Sequence, residues 1–293
     1  MGRDVAAAFP EAREVFDLAD RVLGLPLSQL CFEGSAEQLK LTENTQPALL
    51  TTSLALFEVL KRRGKQPDYV AGHSLGEYSA LVVAQGLAFE DAVGLVRQRG
   101  RFMQESVPIG QGAMAAVVGM EIAVVERICS QAAGKEWVAP ANINSPDQIV
   151  VAGHRGAVER VLELVKGKRG GRAVLLPVSA PFHCALMEPA RQRLDRVMRE
   201  IPFHDLKVPL VNNVDAKVIR EAQEARDGLA RQVVGPVRWA DSVQTLVRMG
   251  VERFVEMGPG RVLSTLIRRT VPDIETRNVG NLKQLERFLE DDR

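Results

Sequence analysis

The sequence predicts an α/β protein in which a mostly parallel sheet flanked by helices is interrupted by a smaller unit of strands and helices. Three observations predict it. Short apolar runs bounded by glycine alternate with helix-period segments; one strand-to-helix junction is a glycine-bounded turn carrying a serine; and the middle of the chain changes to a β-α-β-β-α-β order. At 293 residues the chain can form one large domain or two smaller ones.

The opening segment places Ala6, Ala7, Ala8, Val15, Phe16, Leu18, Ala19, Val22 and Leu23 at helical spacing, with a break expected at Pro10 and an end near Gly24. After Pro47, ALLTTSLALFEVLKRRG keeps that spacing up to Gly64, a residue suited to a left-handed cap. PDYVAGHSLGEYSALVVAQG reads as a buried strand over 69–71, a turn, and a helix from about Leu75. Strands follow at AMAAVV, within WVAPANINSP, at QIVVAGH and at RAVLLPVS, with helices at IAVVERICSQAAG and GAVERVLELVKG. That order is the pattern of a ferredoxin-like unit. Beyond it, EPARQRLDRVMREI is helical, VPLVNN a strand, SVQTLVRMG a helix, RFVEMG a strand and GRVLSTLIRRT a helix. The expected division is a large domain over 1–109 and 179–293, with a small inserted domain over 110–178.

Composition excludes several classes. Hydrophobic residues at 46% and charged residues at 26% are ordinary for a globular chain. Lys plus Arg (38) nearly cancels Asp plus Glu (37), so no global field attracts nucleic acid or an anionic membrane. The apolar stretch over 81–89 is broken by Gln85 and Gly86 and falls well short of the roughly 20 residues that span a bilayer. The N-terminus has no secretory pattern, and MGRDVA fails a myristoylation pattern at Ala6, so a cytoplasmic protein is expected. Cys31, Cys129 and Cys184 are odd in number and lack metal-ligand spacing, which predicts buried free thiols and no metal site.

The sharpest feature is Gly72-His73-Ser74-Leu75-Gly76, a G-x-S-x-G pattern between an expected strand and an expected helix. Such a turn exposes a serine hydroxyl above the sheet edge, and the amide of the next residue, here Leu75, can face a developing oxyanion at a helix N-terminus. The bland reading is a phosphate-binding or structural glycine turn. A serine nucleophile needs a base, and four histidines are available. His73 should point away from the serine and make a structural hydrogen bond; His154 reads as a turn or surface residue, and His204 has no companion motif. His183 lies in SAPFH, where the chain returns from the insertion, and stands equally as a base or as an ordinary loop histidine. The adjacent Cys184 reads as a packed thiol.

At these residues the sequence resembles the bacterial malonyl-CoA:acyl carrier protein transacylases and, more broadly, the acyltransferase domains of fatty acid and polyketide synthases. The resemblance is carried by TQPALL at 45–50, AGHSLGEYSAL at 71–81, Arg99-Gly100, RFMQE at 101–105 and GAMAAV at 112–117. It continues through NINSPDQIVVAGH at 142–154, LPVSAPFHCALMEPA at 176–190, VNNVDA, PVRW and EMGPG. It implies an α/β-hydrolase-like large domain with an inserted ferredoxin-like small domain and the site in the groove between them. It implies Ser74 as the acylated residue, His183 as the base, the Leu75 amide as an oxyanion donor, and the backbone carbonyl of Gln232 in place of a catalytic aspartate.

Arg99 matches the arginine that pairs with the malonyl carboxylate, although an arginine on a helix is on its own more often a solvated surface charge. Phe182 resembles the bulky residue that favours malonyl over methylmalonyl, a difference worth about 1 to 3 kcal/mol. Gln46, Met103 and Asn144 match pocket-lining positions, with packing or turn roles as the alternative. The implied reaction moves malonyl from malonyl-CoA to the phosphopantetheine thiol of acyl carrier protein, by a monomer without a cofactor. A basic run, Lys166, Lys168, Arg169 and Arg172, is a candidate patch for an acidic carrier or simply a solvated loop.

The sequence departs from the family at its start. The GQGSQ-type motif, whose glutamine amide supplies a second oxyanion donor, would precede Met1-Gly2, and losing such a donor costs about 100 to 1000-fold in turnover. Two other functions therefore stay open: a serine thioesterase or hydrolase on the same fold, and a carrier-protein-binding chain without turnover.

Overall fold

The computed structural model describes residues 1–178 and 180–291. Ser179, at the expected boundary of the insertion and within the motif over 176–190, lies outside them. Helices come first. α1 (Arg3–Ala8) and α2 (Pro10–Leu23) are separated by extended Phe9, and Pro10 opens α2 at the position where its missing N–H costs least. Gly24 ends α2 at φ 61°. α3 (Leu27–Glu33) and α4 (Ala36–Lys40), capped by a Ser35–Gln38 box, lead to α5 (Thr42–Lys61). α5 starts earlier than the sequence pattern suggests. The amides of Asn44 and Thr45 both reach Leu41 O at 2.8 Å, so a first turn forms ahead of Pro47, which then lies inside the helix.

β1 (Val70–Ala71) runs into α6 (Gly76–Val83), and α7 (Phe89–Glu105) packs along α5. The chain then builds β2 (Gly112–Val118), α8 (Ile122–Ala133), β3 (Val138–Ser145), β4 (Gln148–His154), α9 (Arg155–Lys166) and β5 (Arg172–Leu175). Their sheet has the order β3-β4-β2-β5 with every pairing antiparallel, which is the ferredoxin-like arrangement. Strand alternation gives this sheet two different faces. Ala113, Ala115, Val117, Ile149 and Val151 pack under α8 and α9 with Val125, Ile128, Val158 and Val161. Met114, Val150 and Ala152 face the other way, onto Cys184 and Phe182.

After a short 3-10 turn at Ala185–Met187 come α10 (Glu188–Arg199), β6 (Leu210–Val211), β7 (Val218–Ile219), α11 (Ala222–Gln232) and α12 (Trp239–Arg248). The chain closes with β8 (Arg253–Met257), α13 (Val262–Thr270), β9 (Glu275–Val279) and α14 (Leu282–Asp291). β1 pairs parallel with β6, β6 antiparallel with β7, and β8 parallel with β9. Parallel pairing is thus present in two pieces, and among the described residues no strand pairing joins them. The small sheet is tied to the rest by backbone: Ile143 N–H donates to Val237 O at 2.8 Å, and Val237 N–H to Ala141 O at 2.9 Å. Among the described residues no helix is long and apolar enough to cross a membrane.

The large core gathers α1, α2, α5, α6 and α7 around residues such as Phe16, Leu50, Leu56, Tyr78 and Leu95. Phe16 is fully buried and meets the edge of Phe32, with ring centroids 4.9 Å apart. Phe16→Ala is expected to lower the unfolding free energy by about 3–5 kcal/mol, measured as a shifted denaturant midpoint at unchanged slope.

Candidate active site

Strand register builds the site. β1 and β6 pair in parallel as Val70↔Leu210 and Ala71↔Val211, so the residues that follow each strand emerge side by side. From β1 emerge Gly72, His73 and Ser74; from β6, Asn212 and Asn213. Asn213 clamps the turn: its Nδ2 donates to Gly72 O at 2.7 Å, and its Oδ1 accepts from the Ser74 amide at 2.6 Å. Gly76 N–H bonds to His73 O at 2.9 Å, and α6 starts immediately.

The turn is strained at the serine. Ser74 has φ 53°, a left-handed conformation that costs a non-glycine residue on the order of 1 kcal/mol or more. The two glycines of the motif do different things. A Cβ on Gly72 would sit 2.0 Å from the carbonyl carbon and oxygen of Gly76, whereas one on Gly76 would meet nothing within 4 Å. Among the described residues the Leu75 amide, at the N-cap of α6, has no hydrogen-bond acceptor. It therefore remains available to an oxygen bound above the turn.

Ser74 Oγ lies 2.7 Å from His183 Nε2. The other ring nitrogen, Nδ1, is 2.8 Å from the backbone carbonyl of Gln232. A carbonyl can only accept, so Nδ1 carries the proton, Nε2 is the acceptor, and the serine hydroxyl donates to it. His183 is 4% exposed and itself holds φ 57°. Burial, then the neighbouring Arg99 charge, push the His183 pKa down to about 3 against the opposing effect of the Gln232 carbonyl. The ring is therefore neutral across the neutral pH range and can take a proton.

Arg99 is not a surface charge. It projects from α7 with 2% of its surface exposed, donating from Nη1 to Gln46 Oε1 at 2.8 Å and from Nη2 to Ser74 Oγ at 3.0 Å and Gln232 Oε1 at 2.9 Å. These hydrogen-bond partners are all neutral, and the buried Glu77 carboxylate acts on the guanidinium only through space. Met103 is buried one turn further along α7, and Phe182 is half-buried against both the main core and the small sheet. Asn144, on β3, bonds through Oδ1 to His73 Nε2 at 2.8 Å, so His73 links the two units instead of facing the serine hydroxyl. Cys184 is buried, with its thiol donating to Pro181 O at 3.0 Å.

Two site residues carry no role in the sequence reading: Asn213 and Glu77. Glu77 stood inside AGHSLGEYSAL as a charge in the first turn of an otherwise apolar helix, and Asn213 closes VPLVNN directly after a strand; those placements were the available signals. Glu77 is 1% exposed and its Oε2 accepts from Gln232 Nε2 at 2.7 Å and from the Asn213 amide at 3.1 Å. The basic run lies elsewhere. Arg172 pairs with Val118 at one end of β2, while Gly112 at the other end abuts Pro181, so the run sits about 20 Å along the strand from the His183 segment. Lys166, in the last turn of α9, forms an exposed ion pair with Glu163 on the same helix at 2.6 Å.

The asymmetry of the two glycines is testable by melting curves. Gly72→Ala is expected to destabilise by about 1–3 kcal/mol through overpacking and to displace Ser74 from His183. Gly76→Ala should leave stability unchanged or raise it by less than about 1 kcal/mol.

The same arrangement connects the chain to known proteins. The acyl transferase domain model matches residues 1–288. The malonyl CoA-acyl carrier protein transacylase of Escherichia coli K12 is 49% identical over 269 residues, covering 92% of this chain and 87% of that protein. The transacylase of the same name from Bacillus subtilis strain 168 is 44% identical, covering 98% and 90%. Among solved structures, the malonyl CoA-acyl carrier protein transacylase of Coxiella burnetii superposes with a TM-score of 0.95 at 40% identity, covering 99% of this chain and 92% of that one. A malonyl-transacylase solved in complex with its type II polyketide acyl-carrier protein matches with a TM-score of 0.95 at 43% identity, covering 99% and 94%. With a clamped serine, a neutral buried histidine and a family match along nearly its whole length, the chain belongs to the acyl transferase family.

Proposed function

We propose that this chain transfers a malonyl group from malonyl-CoA to the phosphopantetheine thiol of an acyl carrier protein, through a malonyl ester on Ser74. The observation that carries the reading is the buried Arg99 guanidinium 3.0 Å from the Ser74 hydroxyl, with neutral hydrogen-bond partners. A fixed cation beside the nucleophile matches an acyl group that carries its own carboxylate, and a guanidinium binds a carboxylate by charge-assisted paired bonds. The names of the relatives point to the same donor and acceptor.

Each step follows from the geometry. Ser74 Oγ attacks the thioester carbonyl while His183 Nε2 takes the hydroxyl proton across 2.7 Å. The Gln232 carbonyl, 2.8 Å from Nδ1, stabilises the imidazolium that forms. The oxyanion of the tetrahedral intermediate is met by the Leu75 amide and the positive end of α6. Collapse breaks the carbon–sulfur bond, and His183 returns its proton to the departing coenzyme A thiolate. In the second half, the carrier thiol gives its proton to His183 and attacks the malonyl ester, and Ser74 leaves with that proton. The chemistry is nucleophilic and acid–base throughout: one thioester and one thiol are its substrates, and a new thioester and the coenzyme A thiol are its products.

A carboxylate on Arg99 has a second effect. The Arg99 charge is one of the causes that lower the His183 pKa, so pairing that charge with malonyl makes the histidine a stronger base when the correct acyl group is present. Acetyl has no such group. Gln46 steadies the guanidinium, and Phe182 and Met103 line the acyl side.

Intact-protein mass after brief exposure to malonyl-CoA tests the reading. A malonyl adduct is expected on the wild-type chain and not on Ser74→Ala; an adduct that survives that substitution would sink the nucleophile assignment. Release of free malonate at the same rate with and without carrier protein would make the protein a hydrolase instead. Arg99→Ala is expected to reduce kcat/KM for malonyl-CoA about 100-fold or more while leaving acetyl-CoA within several-fold, compared in parallel loading assays.

A further inference from the structure

Resting on that reading, we propose that Glu77 is a positioning residue for carboxylate selection: by accepting from Gln232 Nε2 beneath the site, it holds the Gln232 amide with Oε1 toward Arg99. The argument starts from what each group can do. An ionised carboxylate only accepts, and a guanidinium only donates. Gln232 stands between them with Nε2 at 2.7 Å from Glu77 Oε2 and Oε1 at 2.9 Å from Arg99 Nη2. The polarity of the amide is therefore fixed from both sides, by the Glu77 acceptor beneath it and the Arg99 donor above it, and the amide holds one edge of the guanidinium.

The carbonyl of Ser74 also accepts from Gln232 Nε2, at 3.0 Å, so the same amide supports the strained turn. Glu77 and Arg99 are opposite charges buried on either side of one neutral side chain, and neither is consumed by forming an ion pair with the other. That leaves Arg99 oriented, and not in direct contact with a carboxylate, before any acyl group arrives.

The charged and titratable groups around Glu77 are Arg99 from α7, Arg231 from α11, Asp215 from the loop after β6, and Tyr78 beside it on α6. Burial raises the Glu77 carboxyl to about 7, with Gln232, the Asn213 amide and Arg99 pulling the other way and Asp215 adding to the rise. Asp215 is bonded to Arg231 by two contacts of 2.7 and 2.6 Å, which keeps much of its charge occupied. Glu77 is thus charged above about pH 7 and protonated below it, while His183 protonates only near 3. The two ionisations are separable in a profile of kcat/KM, which reports the free enzyme.

The test compares wild type and Glu77→Gln with malonyl-CoA and acetyl-CoA between pH 5.5 and 8.5, alongside melting temperatures. An amide at position 77 can donate as well as accept, so it competes with Arg99 for Gln232 Oε1 and no longer enforces one orientation of the Gln232 side chain. For wild type, kcat/KM for malonyl-CoA is expected to rise about three- to tenfold through pH 7, with a flat acetyl profile. Glu77→Gln should flatten the malonyl profile, raise KM more than it lowers kcat, and reduce malonyl-over-acetyl discrimination about tenfold. Equal losses for both donors, tracking the melting temperature, would make Glu77 merely structural and overturn the proposal. If Glu77→Gln fails to fold, the wild-type profiles decide alone: malonyl and acetyl curves of the same shape overturn it. Absence of any Ser74 adduct on folded wild type overturns the malonyl reading and this role with it, whereas an adduct with unaltered discrimination in Glu77→Gln overturns only this role.

Discussion

The conformation of one residue organises the site. Ser74 sits at φ 53°, and a serine does not stay there unaided. The restraints come from every direction: Gly72 gives up its side chain so that the Gly76 backbone can approach, Asn213 bonds both sides of the turn, and Gln232 Nε2 takes the Ser74 carbonyl. These partners belong to α6, to the loop after β6 and to the end of α11, so the strain at one serine is met by elements spread over much of the large unit. The reward is a hydroxyl that projects from the apex of the turn instead of lying along a helix or strand.

Gln232 is the second fixed point. Its backbone carbonyl settles the tautomer of His183, and its side chain connects Glu77, Arg99 and the Ser74 backbone. Nucleophile, base and cation therefore share one buried residue with 0% exposure. Where a charged third partner could have raised the basicity of the histidine strongly, a neutral carbonyl orients it, and the buried charges nearby belong to Arg99 and Glu77. Electrostatics in this pocket then respond chiefly to what binds the guanidinium.

Much of the fold was legible because its signals are local. Pro10 and Gly24 mark the ends of α2, Gly64 follows α5 at φ 76°, and the glycine-bounded apolar runs AMAAVV and QIVVAGH mark strands buried on both faces. β1 and β6 were legible as short apolar runs, whereas the two-residue β7 carries no such signal, and the parallel pairing is in two pieces, which no run of apolar residues discloses. The site divides in the same way. The Ser74 turn was visible from its glycines, but Arg99 read as a surface charge on its own, since nothing near it in sequence shows that α5 and α11 bury it. Gln232 is harder still: it holds His183 through a main-chain atom, which every residue type possesses, so only the family resemblance pointed there. Asn213 and Glu77 act across more than 130 positions, on partners brought near by strand register and helix packing.

The small sheet is attached to the large unit along β3 by main-chain bonds from Ile143 to Val237 and from Val237 to Ala141. Bonds of that kind are indifferent to side-chain identity. Mutation can rewrite the face that Met114, Val150 and Ala152 turn toward Phe182 and Cys184 while the main-chain seam stays intact. The scaffold thereby separates two heritable properties, the main-chain seam that holds the small sheet in place and the side-chain packing against the His183 segment, and the second can drift while the first persists.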